Sequence, residues 1–190
     1  MKTFGIALKI FLVFTLLTGV IYPLLVTGIA QVIFPHQANG SLILKNNKII
    51  GSELIGQQSD SIIYFTSRPS AIGNNPIPSG GSNYGLTSKK LKDQVTERKN
   101  KFIKFNHLDE GVEVPADMLF ASGSGLDPHI SPEAAQLQIN RIAKARKFDL
   151  FQKHELITLV NKTSEGPQLT CLGESRVNVL LLNIALDKLK

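Results

Sequence analysis

The sequence predicts an α+β protein, with a single N-terminal transmembrane helix followed by one extracytoplasmic mixed domain, and three observations lead to this. An uncharged apolar stretch near the N-terminus precedes a polar body of mixed charge. Within that body, helical and strand-like patterns mix without the strand–helix–strand rhythm of a parallel sheet. Hydrophobic residues make up 43% of the chain and charged residues 19%, so a disordered chain is excluded.

The first element is the apolar stretch from Ile10 to Ala30, which carries no charge. At a helical rise of ~1.5 Å per residue it covers roughly 31 Å, the thickness of a bilayer hydrocarbon core. The alternative is a secretory signal peptide cleaved after Gly28-Ile29-Ala30. Signal peptides have apolar segments of only about 7–15 residues, so the sequence favours a retained transmembrane helix over 10–34. A lipoprotein is excluded, because no cysteine lies near the end of the stretch.

The orientation of this helix follows from the basic residues around it. Lys2 and Lys9 precede the apolar stretch, and the next Lys or Arg is Lys45. Because basic residues flank membrane helices on the cytoplasmic side, we expect residues 1–9 in the cytoplasm. Residues 35–190 then form the extracytoplasmic domain.

One face of the predicted helix carries small or notched residues. Thr15, Gly19, Pro23 and Thr27 are spaced four apart and so share a face, which lets another helix approach closely in lipid. Pro23 also frees a backbone carbonyl that is best satisfied against protein. The alternative is that glycine and threonine are simply common in membrane helices. We favour a packing face for a partner helix.

In the first half of the polar body, the sequence predicts strands and a long loop. Leu42 to Lys45 and Lys48 to Ile50 flank Asn46-Asn47, a pattern typical of a hairpin. Residues 61–65 (SIIYF) are a further strand candidate. Residues 66–87 are dense in Gly, Pro, Ser and Asn, and so predict an irregular loop. A loop of about 20 residues is usually functional or disordered.

A basic helix is predicted next, over 88–105. Its apolar face is accompanied by seven Lys and Arg residues between Lys89 and Lys104. Nucleic-acid binding is one interpretation of these charges. A solvated helix face is the favoured one, because the chain's net charge of +6 is mild and the domain is expected outside the cell.

In the second half of the polar body, the sequence predicts a loop and three further elements. The loop is 121–129 (ASGSGLDPH), after which Ser131 caps a helix that has Pro132 at its first position and runs to about Lys147. Asp149 is a candidate cap for another helix ending near Asn161. Residues 176–189 predict a short strand that turns into a helix.

These loops contain few residues that could form a catalytic or metal-binding site. Ser124, Asp127 and His129 would suit a hydrolase or a metal site, but the neighbouring glycines are offset from the nucleophile-elbow spacing, and the four histidines show no ligand spacing. A structural loop is favoured. The run from Ser79 to Ser82 could offer amides to an anion or form a tight turn. Cys171 is the only cysteine, so neither an intrachain disulfide nor a cysteine-based metal site is possible. The residues favour a binding or assembly module over an enzyme.

Longer blocks of the sequence carry a resemblance that runs nearly end to end. They are YPLLVTGIAQVIFPHQANGSL (22–42), GSELIGQ (51–57), YFTSRPSA (64–71), PSGGSN (78–83), ASGSGLDPHISPEAA (121–135, with Gln138, Arg141 and Arg146 beyond it) and RVNVLLLNIALD (176–187). These blocks resemble KdpC, the C subunit of the bacterial potassium-transporting P-type ATPase of the Kdp type.

The resemblance implies a non-catalytic accessory subunit of an ATP-driven, high-affinity potassium import complex in the bacterial inner or plasma membrane. The implied partners are a channel-like potassium-binding subunit, an ATP-hydrolysing P-type subunit and a small single-helix subunit, with no nucleic acid. ATP and potassium would act at these partners, and the chain would have no cofactor or metal of its own. The subunit would serve assembly and cover the external mouth of the potassium-binding subunit.

The family also suggests an alternative, a catalytic chaperone that raises the ATP affinity of the ATP-hydrolysing subunit. In that hypothesis the Ser-Gly-Gly-Ser run is likened to an ABC-transporter signature. The predicted orientation argues against it, because an external domain does not meet cytosolic nucleotide. Besides the helix face, the loops supply the candidate partner-facing residues. These are Arg68, Pro69, Ser79, Gly80, Gly81, Ser82, Asn83, Ser122, Ser124, Asp127 and His129.

Overall fold

The computed structural model describes residues 2–189 of the chain. It confirms a mixed fold of helices and small sheets behind one long N-terminal helix. The chain divides into two compact units, Met1–Ile50 and Gly51–Lys190, which are described separately below.

The first unit is dominated by helix α1, Lys2–Ile33, the one helix among the described residues that is long and apolar enough to cross a membrane. It begins at Lys2 rather than at Ile10 and ends at Ile33, so the predicted span of 10–34 lies within a longer helix except for Phe34. None of its described residues is buried. Its apolar side chains therefore have no core within this unit.

Helix α1 contains a wide π turn over Leu17–Ile21. Pro23 lies just beyond it, and the ring of a proline clashes with the carbonyl four residues earlier, which here is that of Gly19. A π turn opens the helix at that point and relieves the clash. Phe34 ends the helix with an extended φ of −129°, because the residue before a proline avoids the α conformation.

The short helix α2, Pro35–Ala38, leads into the hairpin of β1, Leu42–Lys45, and β2, Lys48–Ser52. Asn46 and Asn47 both have positive φ, 52° and 60°. Two left-handed residues are what a two-residue hairpin turn requires, and asparagine accepts them readily. The predicted hairpin is confirmed.

The second unit places helices against a small antiparallel sheet. The helices are α3 (Lys89–Asn106), α4 (Ala116–Leu119), α5 (Pro132–Ala145), α6 (Leu150–Thr163) and α7 (Val179–Leu186). The strands are β3 (His129–Ile130), β4 (Ser164–Glu165) and β5 (Arg176–Asn178), in the order β3-β5-β4. The central β5 pairs through Asn178 with His129 and through Val177 with Ser164. The predicted strand and helix of the C-terminus are confirmed.

Helix α5 forms the centre of the core, with seven of its 14 residues buried. It packs against α6 and α3, and its buried Ile142 joins Leu156, Val160 and Leu182 in one apolar cluster. The predicted caps are present. The Ser131 side chain accepts the Ala134 amide at 3.1 Å, and the caps of α6 and α7 are Asp149 and Asn178.

The predicted strand at 61–65 is wrong. This segment is irregular, and its backbone is hydrogen-bonded by side chains from distant helices instead of by a neighbouring strand. Six consecutive carbonyls accept bonds from four side chains. Arg141 binds the carbonyls of Ser61, Ile62 and Tyr64, Arg146 that of Ile63, Asn183 that of Phe65, and Gln138 that of Thr66.

Candidate functional site

The buried Arg141 and Gln138 of α5 position the start of the 66–87 loop. Arg141 is only 3% exposed, and it also donates to Asn106 at 2.9 Å and lies over the Phe105 ring at 4.5 Å. Burial lowers the pKa of Arg141 to about 10, so it stays charged at neutral pH. Gln138 accepts the Thr66 amide at 2.8 Å. The chain therefore leaves the core at Thr66 in a defined position.

From there, two predicted loops pack on each other, and we call residues 66–83 together with 121–129 the loop pair. Hydrogen bonds to backbone carbonyls join them, in addition to the ion pair of Arg68 with Asp127 described below. The Ser122 amide donates to the Pro69 carbonyl at 3.2 Å, the Ser70 hydroxyl to the Gly125 carbonyl at 2.7 Å, and the Gly80 amide to the Ser124 carbonyl at 3.0 Å. Residues 66–87 are irregular, as predicted, but these bonds tie them to the second loop.

Glycine is required where the two loops touch. Gly125 has a φ of +71°, and a Cβ there would lie 2.5 Å from Ile72 Cγ1 and 2.8 Å from the Gly80 carbonyl oxygen. A Cβ on Gly81 would lie 3.0 Å from the Gly123 carbonyl oxygen. The glycines therefore serve loop-to-loop packing, in which side chains would not fit.

Three charged or titratable side chains meet within the loop pair. Arg68 Nη1 lies 2.8 Å from Asp127 Oδ2, and the His129 amide and Nδ1 lie 3.0 and 3.2 Å from Asp127 Oδ1. Burial by itself would raise the pKa of Asp127. The hydrogen bonds from His129 and Arg68 outweigh burial and lower that pKa to about 2. Asp127 is thus a fixed anion that holds Arg68 and the turn before β3.

The structure brings many of the predicted loop residues together, but not as a hydrolase site. Within the described chain, the Ser124 hydroxyl accepts the Leu126 amide at 3.1 Å and makes no hydrogen bond with His129. At the Ser-Gly-Gly-Ser run, the Gly80 amide is already donated to Ser124. Ser79 and Asn83 are exposed, whereas Ser82 is half-buried.

The four residues predicted to form the helix face all lie exposed on α1. In a regular helix three four-residue steps would rotate the side-chain direction by about 120°. The extra residue of the π turn takes back about 100°, which brings Thr15 and Thr27 within roughly 20° of each other. A Cβ on Gly19 would meet nothing within 4 Å in this chain. The stripe is therefore straight and open, and its contact with a partner helix stays a prediction.

Two charged residues near the loop pair are not among the site residues that the sequence predicted. Arg98 and Lys101 of α3 line a cleft of about 520 Å³, with Arg68 on its other side. The predicted solvated face is confirmed for the basic residues of this helix other than Arg98, which is half-buried. The signal in the sequence is the spacing of Arg98, Lys101, Phe102 and Phe105, which places these residues on one helical face. A second cleft, of about 620 Å³, also has Arg68 in its lining and includes Asp127 and His129.

Comparison with known proteins identifies the family. The protein-family model of KdpC, which is described as the c chain of the K⁺-transporting ATPase, matches residues 4–188 of this chain. The chain belongs to the KdpC family. Three relatives, each named as the KdpC subunit of a potassium-transporting ATPase, match over almost their whole length.

The KdpC relative from Rhodospirillum rubrum is 50% identical over 193 residues, covering 99% of this chain and 96% of its own. That from Geotalea uraniireducens is 49% identical over 195 residues, covering 100% and 99%. That from Leptospira interrogans is 45% identical over 183 residues, covering 96% and 92%. Family membership identifies the chain as a component of a potassium-transporting ATPase with one candidate membrane-spanning helix.

Proposed function

We propose that this chain is a non-catalytic accessory subunit of an ATP-driven potassium import complex and acts by docking. Helix α1 anchors it in the bacterial inner or plasma membrane. Its second unit lies on the extracytoplasmic side and covers the external mouth of the potassium-binding subunit. The observation that carries this proposal is α1 itself, an apolar helix of 32 residues with none of its described residues buried, in a member of the KdpC family.

The orientation is supported by charge. Lys2 and Lys9 are the only basic residues before Lys45, and basic residues are retained on the cytoplasmic side during insertion. The domain then meets the outside solution and has no access to cytosolic ATP. ATP and potassium act at the partner subunits, namely the ATP-hydrolysing P-type subunit and the channel-like potassium-binding subunit.

Docking within the membrane is supported by the stripe on α1. Close helix packing in lipid relies on small residues, since lipid tails are as apolar as the helix and provide no hydrophobic drive. Gly19 and Pro23 lie in the middle of the stripe, where the π turn exposes backbone. A partner helix of the potassium-binding subunit or of the small single-helix subunit would cover this face.

Docking outside the membrane is supported by the loop pair. Its hydrogen bonds and close glycine contacts make it a preorganised surface, and a surface ordered in advance loses less entropy on binding. The nucleotide-chaperone alternative relies on free amides in the Ser-Gly-Gly-Ser run. Because the Gly80 amide donates to the Ser124 carbonyl, that amide is not available to a phosphate.

The first experiment is protease accessibility in spheroplasts that express the full chain in its complex. We expect external protease to digest residues after α1 without breaching the membrane, while an N-terminal tag stays protected. Protection of the domain until the membrane is opened would overturn the orientation and revive the nucleotide-chaperone alternative.

The second experiment replaces residues 10–30 with a polyleucine helix of equal length, which keeps the anchor and the flanking lysines. We expect the variant to insert with the same protease pattern but to lose co-purification with the partner membrane subunits. Co-purification equal to that of the unmodified chain would overturn docking through the stripe.

A further inference from the structure

The cleft between α3 and the start of the 66–87 loop has an unbalanced charge. Its volume of about 520 Å³ falls in the range of ordinary binding sites. Three cationic side chains, Arg68, Arg98 and Lys101, line it together with one carboxylate, that of Asp60. The cleft therefore favours an anionic occupant.

Two of these cations are not neutralised by the described chain. Arg98 donates to the Leu119 carbonyl at 2.9 Å and to Gln94 Oε1 at 3.4 Å, both neutral acceptors. These bonds hold the guanidinium in place without removing its charge. Lys101 is exposed and forms no ion pair within residues 2–189. The charge of Arg68, by contrast, is matched by Asp127.

The floor of the cleft is apolar. Phe102 and Phe105 follow the cations on the same helical face, and Met118 lies beside them. Phe102 is only 7% exposed, while the Phe105 ring is held by the Arg141 guanidinium. A carboxylate bound above such a floor is partly desolvated, which strengthens its attraction to the cations.

We propose that this cleft receives an acidic segment of a partner subunit, with an Asp or Glu carboxylate against Arg98 and Lys101 and an apolar neighbour on Phe102 and Phe105. The proposal rests on the docking function proposed above and specifies the chemistry of the partner. With Arg68 matched by Asp127 and with Asp60 as the one carboxylate against Arg98 and Lys101, the cleft keeps a net positive charge, which favours an acidic occupant. Continuity favours a protein, because Arg68 belongs both to the cleft wall and to the loop pair that we propose as a docking surface.

The direct test is zero-length cross-linking with a carbodiimide, which joins an amine to a touching carboxylate. The reaction is run on the assembled complex, and cross-linked peptides are identified by mass spectrometry. We expect Lys101 to be linked to an Asp or Glu of a partner subunit, and Lys104 of the same helix, which is exposed but does not line the cleft, to serve as the control. Lys101 left unlinked, or linked no more than Lys104, would overturn the proposal.

The second test is charge reversal. Lys101→Glu places like charges against the acidic segment, and we expect it to weaken retention of the full chain in the complex by about tenfold and to lower the salt concentration that releases it. The matched variant Lys104→Glu makes the same charge change on the same helix and should behave as the unmodified chain. Equal salt release for the two variants would overturn the proposal.

The outcomes separate this inference from the proposed function. If the unmodified chain is not recovered with the complex, the docking function itself fails. If the chain is recovered but Lys101→Glu has no effect, only the acidic-segment proposal fails. Protection of Lys101 from acylation by vesicles of phosphatidylglycerol, without a protein cross-link, would also overturn it in favour of a lipid headgroup.

Discussion

Helices α1 and α5 have the same kind of secondary structure but differ in how much of their surface is buried. Helix α1 has no buried residue among those described, whereas half of α5 is buried, including the polar Gln138 and Arg141. The side chains of α1 therefore suit the surroundings of the chain, whereas those of α5 suit contacts within the chain. Substitutions in α5 and the loops it positions should change folding, while substitutions in α1 should change only association.

The largest effect is expected for Arg141→Met, which keeps an apolar stem of similar length but removes every donor. The buried Asn106 Oδ1 and Gln138 Oε1 and the carbonyl of the half-buried Tyr64 would each lose a donor, at a cost of about 1–3 kcal/mol for each buried acceptor. We expect the free energy of unfolding to fall by at least ~3 kcal/mol, measured by urea titration of the full chain in detergent. Lys144→Met, on the exposed face of α5, is the control and should stay within ~0.5 kcal/mol.

A loss of similar or slightly smaller size is expected for Gly125→Ala. The substitution forces alanine into a left-handed conformation and places its Cβ against Ile72, which together cost about 3 kcal/mol. Gly123→Ala is the matched control, because a Cβ there meets nothing within 4 Å. Thermal unfolding of the two variants measures the difference. Equal melting temperatures would mean that the loop pair is not packed as described.

Asp127 should make stability depend on pH. Its pKa is lowered to about 2 from an ordinary 3.8, so the ionised form stabilises the fold above pH ~4 and this contribution is lost as the pH falls towards 2. Partial exposure of the ion pair reduces the contribution to about 1–2 kcal/mol. Asp127→Asn should lose this amount at pH 6.

At pH 2.5 the difference in unfolding free energy between Asp127→Asn and the unmodified chain should shrink. The exposed Asp109→Asn is the control and should show no such convergence. A constant difference across this pH range would contradict the ion-pair account.

The smallest effect on folding is expected for Gly19→Leu in α1. A Cβ there meets nothing within 4 Å and the helix buries none of its residues, so the free energy of unfolding of the second unit should change by less than ~0.5 kcal/mol. Retention in the complex should nevertheless fall, because the bulkier residue keeps a partner helix away. Gly28→Leu, equally open but on another face of the helix, should retain its partners. Loss of retention by both variants would contradict a specific stripe.

The sequence predicted the elements whose determinants are local. The hairpin at Asn46-Asn47 and the caps at Ser131 and Asp149 rely on hydrogen bonds and φ angles within a few residues. The strand at 61–65 failed for the opposite reason. Its apolar, β-branched residues suit any extended, half-buried backbone, and the groups that bind its carbonyls lie far along the chain in α5 and α7.

The candidate site divides in the same way. The composition of 66–83 and 121–129 indicated loops of unusual length, but not that Gly80 and Ser124 would meet or that Arg68 would bind Asp127. Arg98 and Lys101 fall on one helical face with Phe102 and Phe105, a pattern visible in the sequence. That this face borders a cleft depends on where the 66–87 loop leaves the core.

The amino-acid sequence alone thus determined the membrane-length helix, the positions of most helices and the family, because length, charge and local capping act over short distances. Tertiary structure alone decided which loops touch, which arginine is buried and which lysine borders a cleft. These features depend on contacts between residues that lie about 40 to 120 positions apart in the sequence. Such contacts can form only after distant parts of the backbone have come together.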